Sequence, residues 1–353
     1  MAIKKEFQER IFESNIKATE EEISNILKLV APGTHFRSAL DGALKTNRGA
    51  LIVVEKITIQ DILDGGFRIN TKFTPQKLIE LTKMDGAIIL SEDMKKITHA
   101  NVTLTPDHKI KTEETGTRHK AAERTAKQIG TLTIAISERK HEINLFYKNI
   151  KHPMISTEEL FRKANENIQL LEKQRELFDR NIERLNILEL SNSTSLHQAI
   201  KSIQKGRLIQ KISENLKKYI IELGKEGTLL KIRLKEITLG VNKETELIIK
   251  DYTRFNVKRS KHLLENLNYE EILKNPHILE ILGHNDYSSH KTIKGWRILH
   301  KTSLHDSEIA LITTETETLD KALQESQKFY EEIFDEEKAQ SISKELKKIK
   351  LIT

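Results

Sequence analysis

The sequence predicts an α/β N-terminal domain, a mixed central sheet flanked by helices, followed by an all-α helical spine and a small C-terminal helical domain. Three observations carry this reading. Eight of the 14 glycines fall in the first 150 residues, where short apolar runs alternate with helical stripes. Between Pro153 and Pro276 there is no proline, and apolar residues recur every three or four positions. The last stretch holds one glycine, Gly295, among short polar helices. The predicted domains are therefore 1–150, 151–290 and 291–353.

Taken in order, Thr19 with Glu22 forms a capping box, and Ile23, Ile26, Leu27 and Val30 give a helical stripe that Pro32-Gly33 stops. A second helix is expected over 36–44. The run from Gly49 to Val54 is continuous and apolar, as in a buried central strand. Asp64-Gly65-Gly66 is a turn, and Pro75 opens a helix ending near Thr82. Strands are expected over 87–90, 101–104 and 131–137, with an edge strand over 142–147. A helix with Ala122, Ala126 and Ile129 on one face lies between 116 and Gly130. Beyond Ser156 and Glu159, another capping box, Phe161, Ala164, Ile168, Leu171, Phe178, Ile182 and Leu185 form the seam of a long helix, interrupted at Arg175. Further long helices are expected over 196–223 and 229–253, the latter disturbed at Gly240. Gly295 turns into a short helix or strand, 313–318 reads as a polar connector, and 339–349 as a Lys-rich terminal helix.

Composition excludes several classes. Without cysteine the chain has no disulfide framework, thiolate metal site or thiol nucleophile. No apolar run approaches the roughly 18 residues of a membrane helix, and no secretory signal is visible, so a cytoplasmic protein is expected. The net charge of +7 is diffuse: residues 1–150 and 151–290 each carry 24 Lys+Arg against 20 Asp+Glu, and 291–353 carry 11 against 12. Charge alone is thus a weak argument for nucleic acid. His99, His108, His141, His152 and His197 lack metal-ligand spacing. Trp296 reads as a core residue of a small domain.

Two constellations carry chemistry. Lys83-Met84-Asp85-Gly86-Ala87 places a carboxylate where a buried strand begins, suited to holding a divalent cation or accepting a hydroxyl proton. An Asp-Gly turn is the alternative. Gly116-Thr117-Arg118-His119-Lys120 opens a helix with Thr117 as its expected N-cap. Cations there oppose the helix dipole, which a bound phosphate would reconcile. A solvated basic helix start is the alternative. The spacing is not that of a Walker A loop.

Together, Met84-Asp85-Gly86-Ala87 and Glu114-Thr115-Gly116-Thr117-Arg118-His119-Lys120 resemble the Asp-Gly-Ala and Arg-His-Arg motifs of the diadenylate cyclases, in the DNA-integrity-scanning branch. Val30-Ala31-Pro32-Gly33-Thr34, Ala135-Ile136-Ser137-Glu138-Arg139 and Tyr219-Ile220-Ile221-Glu222-Leu223-Gly224 agree, and the resemblance covers about residues 20–285. It implies condensation of two ATP into cyclic di-AMP with Mg²⁺ or Mn²⁺, releasing two pyrophosphates, across two facing domains of a homo-oligomer, an octamer. It further implies Asp85 at the 3′-hydroxyl and metal; Gly86, Ala87 and Leu104 at the nucleotide; Thr117, Arg118, His119, Lys120, Ala121 and Ser137 at the phosphates; and Glu138 as a second metal residue. Asp85, Arg118 and His119 are the implied catalytic set.

Three departures stand out. Lys120 replaces the family's second arginine, keeping charge but losing the fork that matches phosphate. Ala121 replaces a threonine common in this branch. Where the C-terminal DNA-binding hairpin would carry Gly-x-Gly, this chain has Phe334-Asp335-Glu336-Glu337-Lys338, whose acids oppose DNA. Two rival functions follow: a non-catalytic sensor of ATP or cyclic di-AMP, and a DNA-binding scaffold.

Overall fold

The computed structural model describes residues 17–287 and 292–350. The chain divides into two compact units, residues 1–163 with 218–229, and 164–217 with 230–353. Among the described residues, no helix is long and apolar enough to cross a membrane.

The first unit opens with α1 (Glu20–Leu29), whose Thr19–Glu22 capping box forms as expected. Helix α2 (His35–Lys45) follows, capped by Thr34. Strand β1 (Ala50–Val54) is buried along its whole length. A 3₁₀ turn over Ile57–Ile62 leads to β2 (Leu63–Asp64) and β3 (Phe67–Lys72), then α3 (Pro75–Leu81) with Thr74 as N-cap. Strands β4 (Ala87–Leu90) and β5 (Lys96–Leu104), helix α4 (Thr117–Ile129), and strands β6 (Leu132–Ser137), β7 (Glu142–Tyr147) and β8 (Ile150–Pro153) complete it.

The strands form one mixed sheet in the order β2-β5-β4-β1-β6-β7-β8, with β3 also paired to β5. Only β1 and β4 run parallel, Leu51 opposite Ala87, and β6 pairs antiparallel with β1. Because side chains alternate, β1 feeds two cores. Ala50, Ile52 and Val54 join Phe36, Leu40, Ala43 and Leu78 on the α2–α3 face. Leu51 and Val53 join Ala122, Ala126 and Ile129 of α4 on the other.

The strand expected over 101–104 starts at Lys96, and β7 is not an edge strand, since β8 covers it. Strand β3 has mostly exposed side chains, which hid it from an apolar pattern.

Helices α5 (Thr157–Leu190) and α6 (Leu196–Leu223) are the long helices foreseen. The third divides into α7 (Thr228–Thr238) and α8 (Val241–Tyr252) at Gly240, which adopts φ +76°. In the second unit the seam residues Leu171, Phe178 and Leu185 are buried. Arg175 breaks that seam for a reason: its Nη1 donates to the Ile237 and Leu239 carbonyls at 2.7 and 2.8 Å, capping the end of α7.

Short helices α9 (Val257–Asn266), α10 (Tyr269–Leu273), α11 (Asn275–Ile281) and α12 (Trp296–Leu299) follow. Then come α13 (Asp306–Thr316), α14 (Leu319–Gln324), α15 (Gln327–Ile333) and α16 (Glu336–Lys350). The polar connector expected at 313–318 is instead mostly the end of α13. Thr313 and Thr316 are buried, and with Thr314 they donate their hydroxyls to carbonyls of the preceding turn. Back-bonding of this kind lets threonine lie inside a helix without an unpaired hydroxyl.

Ile293, Ile298 and Leu319 share a core with Leu185, Ile200, Ile248 and Tyr252. At its centre Arg297 is fully buried against an equally buried Glu189, with Glu244 at 2.9 Å. Burial works against the Arg297 charge, but Glu189 and Glu244 outweigh it and hold the group above its usual range. Asp251 accepts from the Gly295, Trp296 and Arg297 amides. Its burial, with Glu189 nearby, pushes its carboxyl up to about 7 despite those bonds.

Candidate functional site

The parallel pairing of β1 with β4, and the reversed direction of β5 and β6, bring four chain segments to one edge of the sheet. There β1 and β4 begin while β5 and β6 end. Gly49 precedes β1, Asp85 and Gly86 precede β4, Leu104 closes β5, and Ser137 closes β6. Helix α4 starts at the same edge, and Arg118 ties it there. Its Nη2 donates to Asp85 Oδ1 at 3.3 Å.

Asp85 is 96% exposed, so its remaining lone pairs are open to solvent or ligand. Arg118 is held from behind. A Cβ on Gly49 would lie 2.6 Å from Arg118 Nη1, so only glycine leaves that guanidinium its present place. Gly49 is the site residue that composition and motif reading missed, although a lone glycine at the head of an apolar strand is the usual trace of close approach.

Gly86 turns out to be required by the chain itself. Its φ is +81°, and a Cβ would stand 2.7 Å from the carbonyl carbon of Asn101. Asn101 has φ +54° within β5, where the register against β4 slips by one residue. This β-bulge presses β5 backbone on Gly86 and so fixes where Asp85 begins. Ala87 next to it is fully buried.

The cap of α4 differs from expectation. Gly116 is the N-cap and Thr117 the first helical residue; no side chain caps the helix and no acid occupies its first turn. A glycine N-cap offers no side-chain oxygen, so while its carbonyl accepts from the Lys120 amide, the amides of Thr117, Arg118 and His119 remain available to an external anion. Helix α1 is the opposite case, with a side-chain cap and three glutamates in its first turn.

The remaining expected residues divide by helix face. His119 is partly buried, its ring edge-on to Phe146 at 6.4 Å between centroids. Burial lowers its pKa, Glu114 opposes this, and Lys151 and Lys140 reinforce it. The imidazole therefore favours the neutral form at pH 7 and offers one N–H donor. Ala121, Leu104 and Leu63 are partly buried and each packs against the α4-side core. Ser137 is half-buried and accepts from the Lys140 amide, and Glu138 is exposed just beyond it.

Lys120 points elsewhere than Arg118. Two residues on in a helix is a turn of about 200°, and Lys120 lines a cleft between α4 and the 108–114 loop. Thus the edge joins Asp85, Arg118 and Gly49 directly, with Lys120 on a separate face of the same helix start.

The donor set at the edge fits a magnesium-like ion held in part by substrate. Among the described residues no three carboxylates or histidines converge as a metal cage. One open carboxylate, with phosphates and water completing the shell, is how Mg²⁺ is commonly bound.

The nucleotide-binding region of the DisA bacterial checkpoint controller matches residues 37–150, and the linker region of the same family matches residues 154–291. DNA integrity scanning protein DisA of Clostridioides difficile is 39% identical over 78% of this chain and 79% of its own. That of Bacillus subtilis is 38% identical over 80% of each. A solved structure of DacA from Staphylococcus aureus overlays 41% of this chain and 89% of its own at 25% identity, with a TM-score of 0.29, too low to argue from.

Proposed function

The chain belongs to the DisA family of diadenylate cyclases, and from that premise we propose that it condenses two ATP into cyclic di-AMP. The single observation that carries the reading is the pairing of an open Asp85 with Arg118 at an uncapped, acid-free helix start. A carboxylate beside a phosphate-binding helix is what attack of a hydroxyl on a phosphorus requires: a proton acceptor and charge neutralisation.

In this proposal the 3′-hydroxyl of one ATP lies at Asp85, which takes its proton. The oxygen bonds to the α-phosphorus of the second ATP. The bond from that phosphorus to the bridging oxygen breaks, and pyrophosphate leaves with the electron pair. A second, reciprocal attack closes the ring and releases the second pyrophosphate. Arg118 and the first-turn amides of α4 offset charge on the phosphates. His119, kept neutral by burial, donates a hydrogen bond there, and Ser137 lies at the same edge. Leu104 and Ala121 supply the apolar rim against which ribose or base would rest. Mg²⁺ or Mn²⁺ held by Asp85, with Glu138 within the same edge, would supply further charge neutralisation. One chain presents one Asp85, so reciprocal attack needs a second copy facing it, hence a homo-oligomer; an octamer is the proposed assembly.

DNA binding at the C-terminal helices is not part of this reading. Residues Glu336 and Glu337 occupy the first turn of α16, where acids complement the helix dipole and leave no call for phosphate. The test of the whole is formation of cyclic di-AMP from ATP with Mn²⁺, compared with an Asp85→Asn control. ATP binding without product would favour the sensor alternative.

A further inference from the structure

We propose that the cleft between α4 and the loop before it is a polyphosphate subsite, and that Lys109 and Lys111 hold the pyrophosphate released by the reaction. This rests on the cyclase reading above for the identity of the leaving group.

The loop is fixed to the helix. Arg124 Nε donates to the Ile110 carbonyl and Lys127 Nζ to the Lys111 carbonyl, each at 3.0 Å. Gln128 accepts from the Asp107 amide at 2.8 Å, and Glu123 engages the Thr112 hydroxyl and the Glu113 amide. These bonds span the last turns of α4, so the loop is a strap whose place is set before any ligand arrives. The side chains of Lys109 and Lys111 take no part in the strapping. Both line the cleft, as does Lys120. Among the described residues, none of these three lysines makes an ion pair, whereas Lys127 pairs with Glu123 at 2.6 Å.

Three lysines without ion-pair partners line this one cleft, and an anion seated in it would be attracted by all three. Of the two lining acids, Glu114 is already engaged by Lys151 at 2.5 Å, and the exposed Glu113 is outnumbered by Lys109, Lys111 and Lys120, so the cleft stays positive. The lining also limits what the anion can be. Ile110 is its one aliphatic residue, it has no Phe, Tyr or Trp, and its two planar groups, His108 and Arg124, lie against each other at 3.4 Å, so the cleft is walled mainly by cationic and polar side chains. That lining suits a polyphosphate chain better than a nucleoside.

Placement ties the cleft to the reaction. Lys120 lies in the first turn of the helix whose tip carries Arg118, one face toward Asp85 and the other toward the cleft. Pyrophosphate departing from the α-phosphorus at that tip meets Lys120 first and then the strap. Lysines suit a group that must also be released, because ammonium ions hold phosphate as point charges without the bidentate fork of arginine.

The test is calorimetric titration of inorganic pyrophosphate into the full chain without nucleotide. Wild type, Lys109→Gln/Lys111→Gln, Lys109→Arg/Lys111→Arg and Asp85→Asn are compared. Both lysine side chains are exposed, so the glutamine variant keeps its fold, checked by circular dichroism. The expected result is at least tenfold weaker binding in the glutamine variant, with the Asp85→Asn variant within threefold of wild type and the arginine variant binding at least as tightly as wild type. Product inhibition of turnover by pyrophosphate weakens by the same factor. Equal affinity in wild type and the glutamine variant, or no pyrophosphate binding by wild type, overturns the subsite even if cyclic di-AMP is made. Lysine-dependent binding in a wild type that makes no cyclic di-AMP keeps the polyphosphate subsite and removes the leaving-group assignment.

Discussion

Replacing Gly49 by alanine separates positioning from stability. The new Cβ would lie 2.6 Å from Arg118 Nη1 and 3.3 Å from the Ile136 carbonyl oxygen. The second contact is tight and is met by a shift of a few tenths of an ångström. The first is not tolerable, so the guanidinium must retreat by roughly 0.8 Å to reach ordinary van der Waals contact. Its bond to Asp85 is already 3.3 Å long, near the outer limit, and a retreat of that size breaks or redirects it. Misplacement by about 1 Å can cost 10²-fold in rate, so kcat/KM for cyclic di-AMP formation should fall by about 10- to 100-fold. Stability should change little. Gly49 has no left-handed φ, the displaced atom ends a flexible side chain, and alanine gains about 0.4–1 kcal/mol by restricting the unfolded chain. The urea midpoint and the rate, read by chromatography of the nucleotides, are measured on the same preparation. In a double-mutant cycle, Gly49→Ala should add nothing to Arg118→Ala, because it acts through that side chain. A rate within twofold of wild type, or full additivity with Arg118→Ala, would refute the reasoning.

Gly86→Ala is the contrasting case, since both a left-handed φ and Asn101 backbone at 2.7 Å oppose the methyl. We expect a loss of about 2–4 kcal/mol in urea unfolding together with activity; an unchanged midpoint contradicts the bulge account. Arg297→Met leaves Glu189 buried without its cation, at a cost of about 3–5 kcal/mol in the same assay. A loss below 1 kcal/mol would show that the pair is not what fixes α12. Asp251 has a folded-state pKa raised to about 7 from 3.8, so its stability contribution is full below about pH 4 and is lost as pH rises through 7. Asp251→Asn keeps an acceptor for the α12 amides and should flatten the decline in stability between pH 4 and 7. An unchanged slope would place that decline on another group.

How far the residues themselves disclosed this architecture depended on whether a feature leaves a periodic trace. Continuous apolar runs marked β1 and β4, the three-and-four spacing marked α5, and Gly240 marked the break between α7 and α8. Strand β3 left no such trace, because none of its side chains is fully buried and most are exposed. The threonines of α13 imitated a connector until back-bonding to their own helix explained them. At the site, Asp85 and the Arg118 segment were recognisable as residues, yet their contact depends on the sheet order, which no local window contains. The same holds for Gly49 behind Arg118, Asn101 under Gly86, and the strapped loop beside Lys120. Nothing beside Arg297 in the sequence marks it as buried, and the distant Glu189 and Glu244 are what make its burial tolerable.

The measurement closest to the central claim is product analysis of ATP incubated with the purified protein and Mn²⁺ or Mg²⁺. The account predicts cyclic di-AMP and pyrophosphate in a ratio of one to two, and at least 100-fold less product from Asp85→Asn, which still folds and binds ATP. Absence of cyclic di-AMP from wild type, or equal yield from the Asp85→Asn variant, would contradict it.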